Sequence, residues 1–230
     1  MGEQFSAIDL STINPALLLI LISAAGAVVP LAVLALSSFI KLNIVFSILR
    51  NAIGGQNIPP ASLVFTLSIV LTVQIMGPVW AETGANLLKL PAEKNISGGK
   101  VLAAFNPLHR FLEENSSRRE RTFFARQNLT GQKPEGTESG SSNGLPIAGE
   151  SVFTIIPAFV ITEVSEAFTI GFIIYVPFLI IDLVVSNILL SLGMTMINPT
   201  TISLPVKLVL FVICDGWLNL VQGLLLGYVK

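Results

Sequence analysis

Apolar residues run in long unbroken stretches separated by short polar breaks, so run length rather than period sets the expected elements. No residue from Leu10 to Ile40 is charged, and from Pro15 the stretch exceeds the roughly 20 residues that a helix needs to cross a bilayer. Gly26 and Pro30 lie inside it, and a proline there removes one backbone hydrogen bond and predicts a kink. Lys41 and Arg50 bracket the next polar stretch, which GGQNIPP closes as a turn before a new helix. Ala61 to Trp80 is a second charge-free run, ending at Gly77-Pro78 with Trp80 in an interfacial position. The third, Val152 to Ile197, carries only Glu163, Glu166 and Asp182 and is expected to break near Pro177. NPTTISLP then reads as a turn with Pro205 starting a last helical run, Val206 to Val229.

These runs predict an all-α, integral membrane-type chain of helical hairpins with about four hydrophobic segments. Residues 1–81 form the first pair of segments and 151–230 the second. Between them, 82–150 is polar, with an amphipathic helical part and a Gly- and Ser-rich linker over 131–149. Lys41 and Arg50, with no acid between them, place their loop on the cytoplasmic side. Alternation then puts the termini and the helical central insert in the periplasm.

Composition agrees with lipid as part of the solvent: 52% of the 230 residues are hydrophobic, 12% are charged, and the mean hydropathy is +0.77. With a net charge of -1 and no basic block, the electrostatic footprint of a nucleic-acid binder is missing. Cys214 is the only cysteine and His109 the only histidine, so no metal or cofactor site is expected. No catalytic motif stands out either, and the chain is not expected to be an enzyme. The first 15 residues hold Glu3 and Asp9 but no Lys or Arg, and no cleaved leader is expected.

Few residues carry candidate chemistry. Glu163 and Glu166, three apart, share a helix face; solvation near a segment end is the simpler reading, a cation or proton site the sharper one. Asp182 lies deep in an apolar run, where a carboxylate costs about 2.5–3.5 kcal/mol. In a hairpin turning near Asn198 to Thr201, Asp182 stands ~24 Å from the turn, Lys207 ~9 Å beyond it and Asp215 ~21 Å beyond it. The two acids share a level and the lysine does not, so these charges are expected to pair between subunits or to be buried away from lipid. Met194 and Met196 read first as core fillers, and alternatively as adaptable lining around a changing object. Gly223 and Gly227 have the spacing that lets helices approach closely. Lys41 and Arg50 are explained as topology signals.

SSFIKLNIVFSILRNAIGGQNIPP with MGPV downstream, and the stretch from IPAFVITEV to CDGW, closely resemble the FliP/SctR family, FliP of flagella and SctR of injectisomes. The likeness covers Ser37 to Val79 and Ile156 to Trp217. It implies a homopentamer that joins FliQ/SctS-type and FliR/SctT-type subunits in a helical oligomeric pore, the export gate of type III secretion. Such a gate passes unfolded protein substrates across the bacterial inner membrane, and its hairpins stand largely on the periplasmic side. The family's methionine gasket falls on Met194, Thr195 and Met196, with threonine in the middle. The leaderless start favours the injectisome branch. A small-solute transporter and a non-conducting assembly subunit are the competing expectations.

Overall fold

The computed structural model describes residues 33–54, 59–89, 103–131 and 152–228, with helical positions 19, 20, 23, 26 and 30 of the first apolar run. Most of that run, and the 131–149 linker beyond Gly131, lie outside the described residues. The delimited helices are α1 (Phe39–Ile53), α2 (Ala61–Leu88), α3 (Asn106–Glu114), α4 (Arg118–Gly131), α5 (Val152–Ser191), α6 (Pro199–Ile213) and α7 (Gly216–Leu226). No strand occurs among the described residues.

The stretch expected to be a loop between Lys41 and Arg50 is instead helix α1, and it is the hub of the packing. Leu42, Val45, Phe46, Leu49, Ala52 and Ile53 are all buried, a three-and-four spacing that lays one apolar stripe along the helix. The first half of that stripe meets Val64 and Leu71 of α2, Ala167 of α5 and Leu224 of α7. The second half meets Phe178 of α5 and Phe211 of α6. Gly54, at φ +79, ends the helix by turning its N–H back to the Arg50 carbonyl, the left-handed cap that glycine adopts without a Cβ clash. Because Lys41 is buried on this helix, it is no loop charge, and the topology drawn from it loses its basis.

Helix α5 runs unbroken through Pro157 and Pro177, against the expected break. Each proline costs only its own hydrogen bond, a defect that packed apolar helices tolerate. At 1.5 Å per residue its 40 residues extend about 60 Å, roughly twice a bilayer's hydrocarbon thickness. Helix α2 likewise continues past Pro78 to Leu88. The start of α6 corrects the Pro205 expectation: the Asn198 side chain accepts from the Thr200 N–H at 3.1 Å and Pro199 fills the first turn, leaving Pro205 inside the helix.

The last apolar run is two helices rather than one. Asp215 sits at φ +48 and the helices on either side of it differ in direction by 60°. A Cβ on Gly216 would stand 2.3 Å from the Phe211 ring, so only glycine fits the inside of this corner. Among the described residues, two helices are therefore long and apolar enough to span a membrane, or three with the bent pair counted as one. The expectation of about four included the first run.

The polar stretch adds α3, whose Phe111 and Leu112 join Met76 of α2 and Ile155 and Phe159 of α5. Helix α4 opens on Ser117, which accepts from the Arg119 N–H at 3.3 Å and donates its own N–H to Thr162 of α5 at 3.0 Å. Glu120, three residues on, bonds to the Ser117 hydroxyl, which holds its carboxyl below the usual range. The three stretches distinguished by composition thus share cores.

Gly171 fixes how closely α1 and α5 approach. A Cβ there would stand 2.3 Å from Ile48 Cδ1 and 3.2 Å from its Cβ. Gly171→Ala should lower stability in detergent by about 1–3 kcal/mol, and Ile48→Val, which removes the nearest methyl, should recover part of that loss in unfolding midpoints. An unchanged midpoint for Gly171→Ala would refute the close approach.

Candidate functional site

Three features stand out among the described residues: two ionic ties built on buried lysines and an exposed turn. The first tie starts at Lys41 in the first turn of α1. This lysine is 4% exposed, and its Nζ lies 2.9 Å from Glu163 Oε1 and 2.7 Å from Glu166 Oε2 of α5. Glu163 is fully buried, at 0% exposure. The Tyr228 hydroxyl, just past α7, donates to Glu163 Oε2, and the Lys41 ammonium stands 4.3 Å from the centroid of the Tyr228 ring, close enough for a cation–π contact. The reading of Glu163 and Glu166 as solvated end charges is therefore overturned for Glu163. The reason is tertiary: α1 and the chain end cover this part of α5, and only Glu166 keeps an exposed side.

The second tie joins α5, α6 and the end of α1. Lys207 Nζ lies 2.6 Å from Asp182 Oδ2 and donates to the Ala52 carbonyl at 3.0 Å. Ser203, one turn before Lys207, donates to Asp182 Oδ1 at 2.6 Å. The ammonium thus meets a carboxylate and the negative end of the α1 dipole together. The expectation that a single chain leaves Asp182 badly paired fails on the position of the turn. Helix α5 ends at Ser191 and α6 starts at Pro199, so the seven residues between them add almost no axial length. Measured from those ends, Asp182 is ~13 Å up one arm and Lys207 ~12 Å up the other. Asp215 takes no part: it is exposed at the corner between α6 and α7.

The third feature is the turn between α5 and α6. Gly193, at φ +73, reverses the chain, and Met194 and Met196 beyond it are 46% and 99% exposed. That overturns their reading as core fillers, because the hairpin tip projects past every helix that could cover it. Thr195 between them is exposed as well. Gly223 and Gly227 make no close contact with another helix among the described residues. Gly223 instead borders an apolar hollow of about 550 Å³ between α5 and the α6–α7 corner. No group of three His, Cys, Asp or Glu side chains is placed to hold a metal among the described residues.

Three participants were missed from sequence: the pairing of Lys41, Ser203 and Tyr228. The four-residue spacing of Ser203 and Lys207 marks a shared polar face. Lys41 heads a run with apolar residues at 42, 45, 46 and 49, itself a helical period. Tyr228 gave no such signal.

The FliP family model matches residues 19–224, a stretch that holds both ties except Tyr228, the corner and the methionine turn. The chain belongs to the FliP family. It is 39% identical over 221 residues to the Yop proteins translocation protein R of Yersinia pestis, covering 91% of this chain and 95% of that one. The virulence protein YscR of Salmonella typhimurium is 39% identical over 195 residues, covering 83% and 86% of the two chains. The harpin secretion protein HrcR of Erwinia amylovora is 34% identical over 203 residues, covering 87% and 90%. These relatives belong to the injectisome branch, the one expected from the sequence.

In this FliP-family chain the ionic ties should behave as coupled units. Lys41→Met leaves Glu163 buried without its cation and should cost about 3–5 kcal/mol. Glu163→Gln in the same chain should recover part of that loss, so a double-mutant cycle on detergent unfolding should give a large coupling. Strictly additive losses would separate the two side chains.

Proposed function

We propose that this chain is a pore-forming core subunit of a type III secretion export gate of the injectisome type, conducting unfolded protein substrates across the bacterial inner membrane. It works as one of several identical copies, a homopentamer, beside FliQ/SctS-type and FliR/SctT-type subunits, with its hairpins extending to the periplasmic side. The names of its relatives, which speak of translocation, virulence and secretion, support the assignment to a secretion apparatus.

The observation that carries the reading is the bareness of the apolar helices, although five of the ions near them are already paired within the chain. Only 11% of the most apolar window of α5 is buried, and Phe172, Ile173, Leu183 and Ile188 all face outward. Such a surface needs lipid or protein against it. Since α5 is about twice as long as a bilayer is thick, part of it lies beyond any lipid, and sister copies are the cover that this reading supplies.

Met194, Thr195 and Met196 stand at the free tip of the α5–α6 hairpin, where several copies around an axis would bring them together. Unbranched thioethers fit irregular neighbours, which suits a seal that must close on itself and yet admit a polypeptide. The central threonine, smaller and polar, leaves that seal less fully thioether.

Replacing Met194 and Met196 together with alanine should raise small-ion conductance of the reconstituted gate while leaving the particle's mass unchanged. Equal conductance in the two gates would remove these residues from the seal. Native mass measurement of the chain purified with its neighbours tests the larger reading: several copies per particle are expected, and a lone copy that transports a small solute by itself would end it.

A further inference from the structure

The bundle of α1, α5, α6, α7 and the α6–α7 corner contains seven Lys, Arg, Asp and Glu residues: Lys41, Arg50, Glu163, Glu166, Asp182, Lys207 and Asp215. Five of them are consumed by the two ties. Arg50 and Asp215 remain, one of each sign, and neither side chain has an ion-pair partner among the described residues.

Contacts on either side of Asp215 place it within about two helical turns of the height of Arg50. Asp215 lies between Phe211 and Trp217, whose rings meet edge to face at 5.3 Å. Phe211 packs with Leu49, Ala52 and Ile53 of α1, and the Trp217 ring is 6.4 Å from that of Phe46. Those contacts bracket Arg50. The carboxylate is nevertheless exposed, among the outward-facing Val212, Ile213 and Leu218, surroundings in which an unpaired ion is unfavourable. Arg50 is half-buried on α1.

Copies set side by side about an axis along the helices keep each residue near its own height. A head-to-tail contact joins two different faces of the same chain, so opposite charges at nearby heights on one chain suit such a contact. We infer that Arg50 of one copy pairs with Asp215 of the next and sets the register between neighbouring copies; this rests on the multi-copy reading above. The corner itself serves that purpose, since the left-handed backbone at Asp215 and the cramped Gly216 turn the carboxylate outward instead of burying it against Phe211.

The test uses the full chain purified with its neighbour subunits. Asn51, exposed beside Arg50, is changed to cysteine, and a short bis-maleimide is added to link it to the native, exposed Cys214. A maleimide linker is chosen because a disulfide cannot bridge Cα atoms more than about 7 Å apart. A ladder of covalent multimers is expected that vanishes on Cys214→Ser. Asp215→Asn, which a left-handed backbone tolerates, should reduce the ladder about tenfold, as should Arg50→Gln. A multi-copy particle that gives no ladder, or a ladder indifferent to both charge removals, overturns the pairing while leaving the proposed function intact. A particle whose mass shows a single copy overturns both. The first cross-link keeps both charges in place, so it decides the matter even where a charge variant fails to fold.

Discussion

Lys41 leaves the first turn of α1 for Glu163 and Glu166, and Lys207 reaches the last turn of the same helix while gripping Asp182. Both carboxylate sites belong to α5, so this pair of ties sets α1 against α5 at two points, directly at one end and through α6 at the other. Lys41 and Ala52 are ~16 Å apart along α1, and Glu163 and Asp182 ~28 Å apart along α5. A slide of one helical turn, about 5.4 Å, would break both ties and drive Gly171 away from Ile48. The apolar stripe of α1 tolerates several registers, because dispersion and area burial are not directional. The ionic ties do not, since a buried carboxylate deprived of its cation is strongly destabilising.

Placing the charge inside leaves an outer surface that is almost purely apolar over most of α5 and α6. Within the bundle, five ions are neutralised or hydrogen-bonded among themselves, so the outward faces carry little that a change of surroundings would strand. Lipid and a sister subunit are nearly equivalent covers for such a surface. A chain inserted singly and later covered by copies of itself needs that equivalence, because its internal ties need not be rebuilt on assembly. Glu166 and Asp215 are the exceptions, being carboxylates with an exposed side.

The hairpin tip has the opposite design. Gly193 reverses the chain without a Cβ clash, and the seven residues between α5 and α6 spend their length on lateral and projecting path rather than on height. That path brings Asp182 level with Lys207 and at the same time thrusts Met194 and Met196 clear of the bundle. One turn thus provides both the ionic tie and the exposed methionines, and lengthening or shortening it would disturb the two together.

Run length and composition alone determined the all-α, membrane-type character and a helical part in the polar interruption, because these depend on transfer free energies and local spacing that each residue carries with it; the family was legible as a resemblance over two long stretches. The sequence also singled out Glu163, Glu166, Asp182, Lys207 and the methionine turn, since ions in apolar runs are costly wherever they lie. Only the tertiary structure decided which ion meets which. Pairing Asp182 with Lys207 depends on a turn whose residues count in sequence but not in axial height, and burying Glu163 depends on α1 arriving from more than a hundred residues away. Helix α1 itself was hidden because its two charges read as a loop, until α5 supplied the counterions of one of them, Lys41. Helices seen one at a time have faces but no neighbours, and the energy of a buried charge is set by its neighbours.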